Sequence, residues 1–236
     1  MRARQLLEAG NLDEAIETLG AELRKDPLDV QRRVFLFELL SFAGEYERAE
    51  KQLDVAGQGG QEASMGALLY RSALHAEKNR QEMFESQQYP VGGAEPTPVS
   101  ATINGKAFDA LSDADPRLGA RLEVFAAGQY LWIPFEHVAS VEISPPKRLR
   151  DLLWTPAIVQ TGPAFKGLEL GQVLLPAISP LSWQYDDTDV RLGRVTEWVA
   201  LDDGTEVPVG QKLLLVDGEE LPILELRTLE ISAANG

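Results

Sequence analysis

Over the first 80 residues the apolar positions recur at three- and four-residue steps, the spacing of an amphipathic helix. Leu12, Ala15, Ile16, Leu19 and Leu23 line one face of a helix over 12–25, and Leu6 and Leu7 mark a shorter helix before it, over 1–9. A third helix is expected over about 28–42. Its Val30, Val34, Leu36, Phe37, Leu39, Leu40 and Phe42 cover so wide an arc that it should be buried on two sides. A fourth follows over 46–55. A fifth, over about 61–80, carries Met65, Leu68, Leu69, Ala73 and Leu74, with a short partner helix expected at about 80–87.

These helices repeat. Gly10-Asn11-Leu12-Asp13-Glu14-Ala15 returns as Gly44-Glu45-Tyr46-Glu47-Arg48-Ala49, Leu19 returns as Leu53, and Leu6 as Leu40 and Leu74. That fixed period of 34 residues marks the tetratricopeptide helix-turn-helix repeat. Gly10 and Gly44 suit the tight turn between antiparallel helices. Ala15 and Ala49 let the second helix of each pair lie close, and Pro27 ends the first repeat. In the third repeat Lys78 stands at the turn-glycine position, so that repeat is expected to be an atypical cap.

The pattern then changes. Residues 86–100, SQQYPVGGAEPTPVS, combine three prolines and two glycines with few apolar positions, as expected for a linker between domains. Beyond it the apolar positions recur at strand spacing. Strands are expected around Asn104-Gly105, over 118–126 and 130–135 as a hairpin, at 138–143, at the end of 149–161, at 170–176 and at 194–201. The final strands should span 205–232, with turns at Asp203-Gly204 and Asp217-Gly218. The expected fold class is α+β: tetratricopeptide-like hairpins over 1–85, the linker, and a mainly antiparallel β-rich domain over 101–236.

Composition narrows the function. The chain of 236 residues carries a formal net charge of −15, and both halves are acidic. An acidic surface without a basic stripe is poorly suited to nucleic acid or to anionic membranes. With no cysteine there is no disulfide, thiol chemistry or ordinary structural zinc site. No run is apolar enough for membrane insertion, and the acidic N-terminal segment is unlike an export signal, so a cytoplasmic location is expected.

Catalytic patterns are absent from the sequence: no nucleophile elbow, no phosphate loop and two histidines, His75 and His137. Asp186-Asp187-x-Asp189 has the density of a cation site, against the commoner reading of a solvated acidic loop. Trp154 is weighed as a surface contact against a core residue. The chain is therefore expected to be non-enzymatic, without cofactor or metal. The first helices of tetratricopeptide repeats line a concave groove suited to a peptide or helix. By register that groove is lined by Arg4, Leu7, Gln31, Val34, Glu38, Ser41, Met65, Leu68, Ser72 and His75. The competing expectation is that this face packs on the chain's own C-terminal domain.

The segments WIPFEHVASVEISPPKRLRDLLWTPA (132–157), VLLPA (173–177) and DDTDVRLGRVTEW (186–198) resemble the ImpE/TagJ (SciE-like) accessory proteins of type VI secretion systems. Arg150, Asp151, Trp154 and Pro156 carry the likeness in the first segment, and Arg191, Gly193, Arg194 and Trp198 in the last. The resemblance implies a non-enzymatic cytoplasmic adaptor. It implies binding to a helix of the small contractile-sheath subunit and, through that subunit, a link to the AAA+ ATPase that disassembles sheaths. The alternative is a generic scaffold whose C-terminal β domain carries the binding surface.

Overall fold

The computed structural model describes residues 2–90, 100–162 and 170–232. Its helices are α1 (Arg2–Glu8), α2 (Leu12–Lys25), α3 (Val30–Phe42), α4 (Tyr46–Ala56), α5 (Gln61–Ser86) and α6 (Thr188–Arg191). The strands are β1 (Ser100–Ile103), β2 (Lys106–Phe108), β3 (Leu111–Asp113), β4 (Arg121–Ala126), β5 (Gln129–Pro134), β6 (Val138–Ile143) and β7 (Trp154–Thr161). They continue with β8 (Gly171–Pro176), β9 (Thr196–Ala200), β10 (Glu206–Gly210), β11 (Leu213–Val216), β12 (Glu219–Pro222) and β13 (Thr228–Ser232).

The repeat geometry follows from the small residues. Gly10 and Gly44 both take positive φ, +81° and +72°, at the two hairpin turns. Ala15, Ala49, Leu19 and Leu53 are buried at equivalent places. In α3 every residue from Phe35 to Phe42 is buried, because neighbouring helices lie on one side and the strand region on the other. The third repeat differs from expectation. Instead of a separate helix at 80–87, α5 runs unbroken for 26 residues. With Lys78 where the turn needs a glycine, the backbone stays helical, and Lys78 forms an ion pair with Glu47 of α4 at 2.8 Å.

The expected linker begins after α5, but its first residues are packed: the Tyr89 ring stacks on Trp132, 6.2 Å between centroids. Residues 91–99 of the linker lie outside the described residues.

Eight strands form an antiparallel sheet in the order β2-β1-β13-β6-β7-β8-β4-β5. The small sheet β12-β11-β3 packs on one face, with Leu111, Leu214 and Ile223 meeting Val124, Val141, Val159 and Leu229. The helices pack on the other face. Phe125, Trp154 and Leu174 from that face share one apolar core with Phe37, Leu40, Ala73 and Leu74. The helices cover only the end of the face nearest Trp154, and this partial cover creates the site.

Candidate functional site

An open groove of about 880 Å³ lies between α5 and the sheet. Its helical wall is Met65, Leu68 and Leu69, which are 66%, 64% and 53% exposed, values unusual for large apolar side chains on a helix. The floor is sheet: Phe125 on β4, Pro156 and Ile158 on β7, and Leu174 on β8, with Glu142, Gln172 and Thr228 toward the open side. The α5 wall from Met65 to Ser72 spans about two helical turns. Such a trough, apolar with few polar groups, suits the apolar stripe of a helix.

A weld of buried charge fixes the position of α5. Arg80 reaches from α5 to Glu123 on β4 through two bonds, Nε to Oε1 at 2.7 Å and Nη2 to Oε2 at 3.1 Å, and donates to the Ile178 carbonyl at 3.0 Å. Glu77 accepts from Arg80 at 3.1 Å and from the Trp154 indole N–H at 2.8 Å. Lys212, just before β11, forms ion pairs with both Glu123 and Asp113. Burial alone would raise the Glu123 carboxyl, but Arg80 and Lys212 outweigh it and hold it well below the usual range. Burial pushes Asp113 up to about 7 against the pull of Lys212.

A second attachment is made by the 3-10 turn Leu149–Leu152. Arg150 donates to Glu38 of α3 at 2.8 Å and to the Tyr70 hydroxyl at 2.6 Å, with its guanidinium 4.5 Å from the Tyr70 ring centre. Burial raises the Glu38 carboxyl, opposed by Arg150. Asp151 accepts from the Lys147 and Arg148 amides at 2.9 and 3.0 Å, holding the turn closed. Trp154 lies inside the shared core between Phe37 and Tyr70, so the surface option for it is overturned.

The segment around α6 clasps the repeat turns. Arg191 pairs with Asp13 at 3.0 Å, Arg194 donates to the Leu7 carbonyl at 2.6 Å, and Trp183 lies against the Gly44 turn. Gly193 takes φ +61° beneath Ile178, where a Cβ would come within 2.9 Å of that side chain. Asp187 and Asp189 are also accounted for. Asp187 accepts the Asp189 amide at 2.7 Å, and Asp189 pairs with Arg194 at 2.9 Å. Among the described residues no group of three His, Cys, Asp or Glu side chains gathers as a metal site. Trp198 is partly exposed on the β9–β10 ribbon, opposite Pro208 and outside the groove.

The ten residues expected along the concave face therefore separate. Met65, Leu68 and Ser72 line the groove, with Ser72 under the Gly128 turn. Leu7, Glu38 and Ser41 are a correction: all three are buried, because the chain's own Leu149–Leu152 turn and α6 segment occupy that side. Arg4 lies 5.6 Å from the Phe35 ring centre, Gln31 is exposed and Val34 is half-buried. His75 is exposed on α5 beside Asn79. None of these four lines the groove. Leu69, Ile158 and Glu142 were missed. Burial alternates from Thr155 to Gln160 and places Ile158 opposite in facing to Ala157 and Val159, which is the sequence signal for its place on the groove floor.

Among the described residues no helix is long and apolar enough to cross a membrane. Comparison with known proteins gives matches over both parts of the chain. The ImpE protein family model matches residues 105–230, and a tetratricopeptide repeat model matches residues 6–71. The type VI secretion system accessory component TagJ of Pseudomonas aeruginosa is 34% identical over 263 aligned residues, which cover 98% of this chain and 91% of that protein. The crystal structure of VPA1032 from Vibrio parahaemolyticus superposes with a TM-score of 0.85 at 23% identity, covering 100% of this chain and 99% of that one, a likeness of fold.

Proposed function

The chain belongs to the ImpE/TagJ family, and from that premise we propose that it is a non-enzymatic cytoplasmic adaptor of a type VI secretion system. In this reading the groove between α5 and the sheet receives a helix of the small contractile-sheath subunit and so links the sheath to its AAA+ disassembly ATPase. The observation that carries the reading is the apolar ridge of Met65, Leu68 and Leu69 left exposed beside Ile158 in a trough of about 880 Å³. An adaptor needs a preformed receptor for a segment of its partner, and burying such a ridge is the main favourable term in that kind of association. In this reading most of the residues that carry the family resemblance serve the receptor indirectly. Arg150 and Trp154 hold the repeats against the sheet, Asp151 keeps the turn that carries Arg150 closed, and Arg191 and Arg194 hold the repeat turns. The groove draws one wall from each half of the chain, so the scaffold reading with the β domain alone has only half of the surface.

Co-purification with the small sheath subunit tests the reading. Leu68→Asp should abolish capture, whereas Val34→Asp, on α3 away from the groove, should leave it intact. Capture unchanged by Leu68→Asp in a folded protein would overturn the proposal.

A further inference from the structure

Among the described residues the sheet face below α5 is covered at one end and open at the other, and strand register sorts its residues. Thr228, Glu142, Ile158 and Gln172 form one cross-strand rung on the open half. Glu230, Ser140 and Gln160 form the next rung outward. Alternation sends Val141, Val159 and Leu229, which lie between these rungs, into the opposite core. Rungs two residues apart along a strand are about 6.6 Å apart.

The open floor therefore leads from the apolar ridge of α5 to two exposed carboxylates, Glu142 and then Glu230. Among the described residues these two rungs carry no lysine or arginine. Arg227, at their margin, donates through Nη1 to the carbonyls of Leu224 and Leu226 at 2.7 and 2.8 Å, so that nitrogen is held along its own chain. A helix is about 10 Å across. Seated with its stripe against Leu68 and Ile158, it brings one flank over both glutamates.

We propose that the groove selects its partner helix by charge: an apolar stripe packs on Met65, Leu68 and Ile158, and lysine or arginine on the outer flank meets Glu142 and Glu230. This rests on the groove reading above and adds the chemistry of the occupant. Rim charges of this kind act mostly on encounter rate and choice of partner. An acidic flank meets like charge and is excluded.

The test uses the full chain and two labelled helical peptides with the same leucine stripe, one with lysines on the flank and one with glutamates. Fluorescence anisotropy at low salt should favour the lysine peptide, and the preference should shrink as salt screens the rim. Glu142→Lys with Glu230→Lys should weaken the lysine peptide by about 10-fold and strengthen the glutamate peptide. The control Glu219→Lys with Glu220→Lys, an equal charge change on β12 outside the groove, should leave the preference in place. Equal affinity for the two peptides, or the same response to both double variants, would overturn the charge selection while leaving the groove reading intact. If Leu68→Asp leaves both peptides bound, the groove reading itself fails.

Discussion

Raising the pH from about 5.5 to about 7.5 should cost the protein about 2 kcal/mol through Asp113, and Asp113→Asn should remove that part of the loss. The cause is burial of the Asp113 carboxyl, in a cluster where buried negative charge exceeds positive. Arg80 and Lys212 face Glu77, Glu123 and Asp113, three carboxylates against two cations, while the adjacent Asp115 is matched by Arg117. Burial holds the Asp113 carboxyl at about 7, against 3.8 for an unperturbed aspartate. Between those values the folded state keeps a proton that the unfolded chain has lost. This contribution is complete below the unfolded value and is lost as pH rises through the folded one, at a slope of at most about 1.4 kcal/mol per pH unit. Glu123, held below its ordinary range, has the opposite sign. Its contribution is complete above the unperturbed glutamate value of 4.5 and stays constant across the window. Glu38, raised by burial against Arg150, adds a loss of the same sign as Asp113, so the variant is needed to isolate Asp113. Asparagine keeps the oxygen that accepts the Asp115 amide at 2.9 Å, so the turn after β3 should survive. Urea unfolding followed by tryptophan fluorescence, at constant ionic strength across the pH series, gives the stability directly. A wild-type stability that is flat or rising through this window would refute the reasoning. So would a slope that Asp113→Asn leaves unchanged.

Gly44→Ala should destabilise more than Gly10→Ala. Both place an L residue at positive φ, worth about 1–2 kcal/mol, but the new Cβ at Gly44 would overlap the Trp183 ring, whereas at Gly10 the nearest atoms stand at 3.9 and 4.0 Å. Thermal melts of the two variants compare them. Arg150→Ala should cost about 3 kcal/mol by leaving Glu38 buried without its cation. Arg150→Lys should recover only part, because one ammonium lacks the fork that reaches both Glu38 and Tyr70; chemical denaturation reads both. Removing residues 1–85 should leave the remaining chain insoluble, since Phe125, Trp154 and Leu174 lose their apolar cover, and soluble yield measures this.

Local structure was legible wherever one residue dictates the backbone. The 34-residue period placed both hairpin turns, and Asn104-Gly105, Asp203-Gly204 and Asp217-Gly218 fell at the turns of tight strand pairs. Lys78 signalled that the third turn was irregular. That α5 continues straight through it depends on what covers Ala76, Arg80 and Phe84, which is tertiary information. Alternation along β6, β7 and β13 defines two faces of the sheet but does not say which is covered, or how far. For the same reason helical periodicity leaves two options for the concave face, a free groove or packing on the strand region, and Arg150 and Trp154, more than a hundred positions from Glu38 and Phe37, fill part of it. The buried cluster was harder still to read. Glu77, Arg80, Glu123 and Lys212 are residue types that ordinarily stay in water, and only their mutual pairing makes burial tolerable. In the groove, Met65 and Leu68 were legible as the exposed side of an amphipathic helix, while Ile158 and Glu142 became part of it through sheet register.

Site-specific photo-crosslinking tests the central claim most directly. A photoreactive phenylalanine placed at Leu68 or at Ile158, one on each wall of the groove, should form an adduct with the small sheath subunit, mapped by mass spectrometry to a helix of that protein. The same probe at Trp198, as accessible as Ile158 but on the β9–β10 ribbon outside the groove, should form none. Adducts from Trp198 with none from Leu68 or Ile158 would contradict the account.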